Sequence, residues 1–180
     1  PPAGFTKEDI SWRTLSRQVK QDMSDQKYAE ALGVFVWYYN NILQYNPPQS
    51  GVRNSFCLEK WVELGKVYPP ALTELQKIYN VKEKLFLDNK AVLIYPGADA
   101  DGTPRDWQQN PPKNQQDGEL FFAQQMGDSP QFGDIVNINR YLGTPEKTVR
   151  LFLKVEQINP ALARKIWRFA DDTVLEQKDY

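Results

Sequence analysis

Apolar residues recur along this chain at spacings of three and four, the mark of helices burying one face. Trp12, Leu15, Val19 and Met23 form the first such row. Thr6 ahead of Glu8 and Asp9 predicts its start, with a hydroxyl cap followed by carboxylates suited to the positive end of the dipole. Ser24-Asp25 interrupts the row and is expected to cap a second helix over 26–45. That helix carries Tyr28, Ala31, Leu32, Phe35, Tyr39, Ile42 and Leu43 on one face and stops at Asn46-Pro47-Pro48, where proline cannot continue the ladder.

After a Gln49-Ser50-Gly51 turn, a third helix is predicted over 52–67 with Val52, Phe56, Leu58, Val62 and Leu64 inward. Gly65 weakens its end and Tyr68-Pro69-Pro70 closes it. Pro70 then fits the first turn of a fourth helix bearing Ala71, Leu72, Leu75, Ile78 and Tyr79 and reaching about Leu87. Ala91–Tyr95 is the one strand-like run and has no partner run, so it reads as helix end or buried extended chain. Residues 96–118 turn to Pro, Gly, Asp, Asn and Gln and are expected to form a long surface loop within a single domain of residues 1–180.

Helical pattern resumes with a short helix over 118–126, marked by Leu120, Phe121 and Phe122. Ser129-Pro130 opens the next, bearing Phe132, Ile135, Val136 and Ile138, and Gly143 fits the position just past its end. Thr144-Pro145-Glu146 predicts a capped start for the helix of Val149, Phe152, Val155 and Ile158. Asn159-Pro160 ends that helix and opens a last one bearing Leu162, Ile166, Trp167, Phe169 and Val174. The expected fold class is all-α, and its core is expected to be drawn from Leu32, Phe35, Tyr39, Ile42, Phe56, Leu72, Leu75, Ile135, Phe152 and Trp167.

One local pattern occurs twice. Tyr39-x-x-Ile42-x-x-Tyr45-Asn46-Pro47 aligns with Phe152-x-x-Val155-x-x-Ile158-Asn159-Pro160, and Pro160-Ala161-Leu162 echoes Pro70-Ala71-Leu72. Helix, Asn-Pro stop, helix is the grammar of stacked helical hairpins. The stretch Tyr28-Ala29-Glu30-Ala31-Leu32-x-x-Phe35, closed by Pro47, resembles the second helix of a tetratricopeptide repeat, with Tyr28, Ala31, Phe35 and Pro47 in the family's roles. Tyr38 stands where that family has a small residue. Thr144–Trp167 carries a fainter version. The resemblance implies an architecture of antiparallel helix pairs stacked side by side, and no particular partner.

Composition narrows the chemistry. The 180 residues hold 22 Lys and Arg against 23 Asp and Glu, a net charge of −1. Without a basic excess, no nucleic-acid partner is expected, and no apolar run is long enough to span a membrane. There is no histidine and a single cysteine, Cys57, which removes His-based acid/base relays, Ser–His–Asp and Cys–His nucleophiles and the ordinary zinc sites. The chain opens Pro1-Pro2-Ala3 without methionine. Signal-peptide removal or a chosen chain boundary both fit, and the Tyr, Trp, Asn and Gln content leans toward export.

The remaining candidates are few. Asp99-Ala100-Asp101-Gly102 with Asp106 has the alternate acids of a calcium loop, but Gly97 and Gln108 occupy positions that need acidic ligands, so it reads as a solvated turn and no metal is expected. Asp171, Asp172 and Glu176 read as a solvated helix face, and Cys57 as a buried thiol. Trp37 and Tyr38 point off the face shared by Phe35 and Tyr39, and Trp107 lies in the polar loop. Packing against a second neighbouring helix is the expected role of Trp37 and Tyr38 and an exposed binding patch the alternative, so these two and Trp107 are the candidate binding residues. The expected function is a non-enzymatic interaction module with no cofactor and a protein or peptide partner. The alternative is a carboxylate-dependent hydrolase of a polar polymer such as a glycan, whose acids assemble in space and leave no spacing to read.

Overall fold

The computed structural model describes residues 6, 10–88, 111, 113, 130–164, 166 and 167, and among them every regular element is helical. The helices are α1 (Trp12–Ser24), α2 (Tyr28–Tyr45), α3 (Ser50–Val52), α4 (Leu58–Val67), α5 (Pro70–Asp88), α6 (Pro130–Leu142) and α7 (Pro145–Ile158). A 3₁₀ turn, Pro47–Gln49, precedes α3, and a π-helical turn, Arg53–Cys57, joins α3 to α4 without a break. Residues 160–164 begin a further helical run. The runs expected over 91–95 and 118–126, and the 96–118 loop except Pro111 and Lys113, lie outside the described residues.

Proline sets three of the helix ends in one way. Asn46, Tyr68 and Asn159 each precede a proline, which disfavours the helical region for the residue before it. Their φ/ψ values are −148/79°, −137/85° and −146/82°. Each still donates its N–H one last turn back, to Ile42, Leu64 and Val155 at 2.7, 2.8 and 2.7 Å. The repeated Asn-Pro stop is therefore a repeated backbone device. Asn159 also caps the next helical run, its Oδ1 accepting the Leu162 N–H at 3.0 Å.

Two other ends close by the six-to-one bond of a Schellman turn. Gly143, at φ 67°, follows α6, with the Thr144 N–H on the Asn139 carbonyl at 2.9 Å. This closure turns the Thr144 hydroxyl back toward Asn139 (3.4 Å to Oδ1), so it does not cap α7 as the sequence predicts. After α1 the left-handed residue is Gln26, φ 58°, and the Lys27 N–H reaches the Asp22 carbonyl at 2.7 Å. Asp25 thus ends α1 and does not cap α2. The start expected at Thr6 falls instead at Ser11, whose hydroxyl accepts the Thr14 N–H at 3.4 Å.

Short connections fold α1 onto α2, α4 onto α5 and α6 onto α7, and α6 also packs on α4, α5 and the π turn. Helix α6 is the central one: Phe132, Gly133, Asp134, Ile135, Val136, Ile138 and Asn139 are all buried. Trp61 ties the first hairpin to the second. Its indole stacks on Phe35 (5.7 Å, 20°), meets Tyr39 edge-on (6.1 Å, 79°) and donates Nε1–H to the Ala71 carbonyl at 2.9 Å. Burying a side chain of about 200 Å² stabilises the fold by at most ~5 kcal/mol.

Of the expected core, Phe35, Tyr39, Ile42, Leu75, Ile135 and Phe152 are buried, Leu32 and Trp167 pack half-buried at its edge, and Leu72 is half-buried. Phe56 is the exception, 57% exposed. The buried row here is Arg53, Cys57, Leu58, Trp61, Leu64 and Gly65, so the face that turns inward opens with a charged residue and leaves Phe56 outside.

Candidate functional site

The buried charge on that face is the centre of a polar cluster. Arg53 and Asp134 both have wholly buried side chains and are joined by a 2.5 Å contact from Nη2 to Oδ1. Asn54 donates Nδ2–H to the same oxygen at 2.7 Å, and Lys82 holds Oδ2 at 2.8 Å. The Arg53 guanidinium lies over the Tyr39 ring, 4.7 Å from its centroid, and reaches the Tyr39 carbonyl through Nη1 at 3.4 Å. Tyr39 closes the cluster by donating its hydroxyl to Asn54 Oδ1 at 3.2 Å. A π turn suits this arrangement because its wider circuit places two consecutive polar residues, Arg53 and Asn54, on one carboxylate.

Burial alone would raise the Asp134 carboxyl, but the Arg53 and Lys82 charges and the Lys82 and Asn54 hydrogen bonds outweigh it and hold it below its ordinary value. Asp134 is therefore an ionised clasp between the π turn, α5 and α6, with both oxygens committed to protein donors. Cys57 sits beside it, wholly buried, and burial pushes its thiol up despite the Arg53 charge. A thiol held protonated is a poor nucleophile.

The sequence candidates separate. Tyr38 is fully buried, its ring 5.2 Å from Trp12 and its hydroxyl donating to Gln49 Oε1 at 2.9 Å. It is a core residue and offers no surface to a partner, because α2 buries a second flank against α1. Trp37 is half-buried against Tyr45 at 5.7 Å. Trp107, Asp99, Asp101, Asp106, Asp171, Asp172 and Glu176 lie outside the described residues. Among the described residues, no three carboxylate or thiol groups converge on a possible metal position.

Two surface features lie along α5. On α5, Ile78, Val81 and Leu85 share one stripe. Ile78 is half-buried, while Val81 and Leu85 stand 58% and 55% exposed beside the Lys77–Glu74 ion pair. On another flank of α5, a polar groove of about 270 Å³ opens toward α7, lined by Tyr79, Asn80, Glu83, Lys147, Arg150 and Lys154. Lys147 is held there by Gln76 Oε1 at 2.8 Å, with its ammonium 5.0 Å from the Tyr79 ring centre. The Tyr79 phenol is pushed up to about 12, by burial first and then by the nearby Glu83 carboxylate.

Comparison with known proteins adds no relative: no protein-family model, curated protein or solved structure matches the chain. No helix among the described residues is long and apolar enough to cross a membrane.

Proposed function

We propose that this chain is a non-enzymatic protein-interaction module, a stack of antiparallel helical hairpins of tetratricopeptide-like form that presents surface to a protein segment. The observation that carries the reading is the exposed pair Val81 and Leu85 on one stripe of α5, with half-buried Ile78 at its inner edge. Three apolar side chains spaced over two turns make a continuous ridge, the shape that an apolar helix face or extended segment can cover. Exposed apolar residues scattered singly need no explanation, but a row on one helix face does. Trp37, half-buried, and Trp107 are the further binding candidates that the reading retains.

Capture from the native host with the parent chain and with a Val81→Asp/Leu85→Asp variant of unchanged circular dichroism tests it. A protein retained by the parent and lost by the variant is the expected result. Equal capture by both would overturn the proposal. So would turnover of a glycan or peptide that ends when one Asp or Glu is neutralised, the outcome the hydrolase alternative requires.

A further inference from the structure

The groove between α5 and α7 has a charge pattern unlike the rest of this nearly neutral chain. Three cations, Lys147, Arg150 and Lys154, line it against one carboxylate, Glu83. Neither Arg150 nor Lys154 enters an ion pair among the described residues. Their spacing on α7 and that of Tyr79, Asn80 and Glu83 on α5 bring the two rows face to face across the opening. Like charges gathered in one concave site cost free energy unless an anion or solvent ions relieve them.

The floor is ordered before any ligand arrives. Asn139 of α6 is wholly buried and donates Nδ2–H to Thr148 Oγ1 at 3.0 Å. Tyr79 itself is buried, and Lys147 is fixed by Gln76 and the Tyr79 ring. Arg150 and Lys154, both exposed, supply the movable charges at the mouth.

We propose that this groove binds the phosphate monoester of a small hydroxylated molecule, with Arg150 and Lys154 on the phosphate, Lys147 behind them and Glu83 accepting a ligand hydroxyl. The charge match favours a phosphate monoester. Three cations less one carboxylate leave two positive charges, and a phosphate monoester carries about −1.5 to −2 near pH 7. The Arg150 fork can hold two phosphate oxygens where a lysine offers a point charge. Glu83 would repel a second anion but satisfies a hydroxyl donor, so the same site rejects an extended acidic peptide. A volume of about 270 Å³ is at the small end of ligand pockets and fits a single sugar phosphate.

Calorimetric titration with ribose 5-phosphate, ribose and inorganic phosphate tests this without reference to any protein partner. Val81→Asp/Leu85→Asp, which alters the ridge, is expected to leave the result unchanged. The expected result is one-to-one binding of ribose 5-phosphate, no binding of ribose, and weaker binding of phosphate. Arg150→Gln/Lys154→Gln changes two exposed side chains and is expected to fold as the parent and weaken ribose 5-phosphate at least about tenfold. Glu83→Gln is expected to narrow the preference for the ester over phosphate. Absence of saturable binding up to about 10 mM ligand, undiminished affinity in the double variant, or ribose binding as well as its phosphate would each overturn the proposal.

Discussion

Asp134→Asn is the substitution that most sharply tests how the helices are held. It keeps the shape of the side chain and removes the charge that Arg53 and Lys82 share. The two cations differ in what they can do next. Lys82 has 17% of its side chain exposed and can turn toward water, whereas Arg53 has none. The cost is therefore dominated by an arginine stranded in the interior. Removing one partner of a buried pair costs roughly 3–5 kcal/mol, although replacing both by apolar groups is often close to neutral. With folded domains stable by roughly 5–15 kcal/mol, the variant should lose about a fifth or more of its stability. Urea unfolding reads this directly: at a slope of about 2 kcal/mol/M, the midpoint should fall by about 2 M. The Arg53→Met/Asp134→Leu double variant should unfold at higher urea than Asp134→Asn alone, because no unmatched charge remains. A loss under about 1 kcal/mol for Asp134→Asn, or a double variant equal to the sum of its singles, would refute the clasp.

Other expectations concern the backbone, the core and pH. Gln26→Gly should stabilise the chain by roughly 0.5–1 kcal/mol, since Gln26 holds φ 58° and glycine adopts that region without strain; an unchanged or lower melting temperature would count against it. Phe35→Ala should cost roughly 3–5 kcal/mol, while Phe56→Ala, at 57% exposure, should leave the urea midpoint nearly unmoved. Asp134 is held below its ordinary 3.8, so its contribution is present above that pH and is lost as pH falls beneath it. Tyr79 is raised from 10.0 to about 12, so its contribution is intact below pH 10 and is lost as pH rises from there. Urea midpoints of the parent and Tyr79→Phe compared from about pH 8.5 to 11 should therefore converge at the alkaline end, and parallel curves would count against this assignment.

What was legible in the sequence was what the backbone itself dictates. Proline fixes a helix end through the residue before it, so the stops at Asn46, Tyr68 and Asn159 and the glycine after α6 could be read from residue identity. The face of α2 followed from apolar spacing, and that of α7 did at Phe152 and Val155, whereas Ile158 is exposed and Thr148 and Leu151 turn inward instead. The π turn was not legible, because an inserted residue in a helix leaves no composition signal. Arg53 and Asp134 escaped for a related reason: Arg53 lies among polar residues and Asp134 in an apolar stretch, in both of which a charge reads as the solvent side, and the two partners lie 81 residues apart. A charge at the i−4 position from Cys57, and another between Phe132 and Ile135, were the only hints that these faces turn inward with their charges paired. The groove is harder still, since Glu83 and Arg150 meet only through the packing of α5 and α7 on α6.

On the proposed reading, this chain presents an apolar ridge to a protein. Calorimetry of the purified captured partner against the parent and Val81→Asp/Leu85→Asp tests it most directly. Covering half-exposed Val and Leu side chains should contribute at least ~1.4 kcal/mol, a factor of about ten in Kd, and should give a negative heat-capacity change that shrinks in the variant. The predicted result is that loss of affinity together with an intact partner at the end of the titration. Equal affinity and heat-capacity change for parent and variant, or a partner cleaved during the experiment, would contradict it.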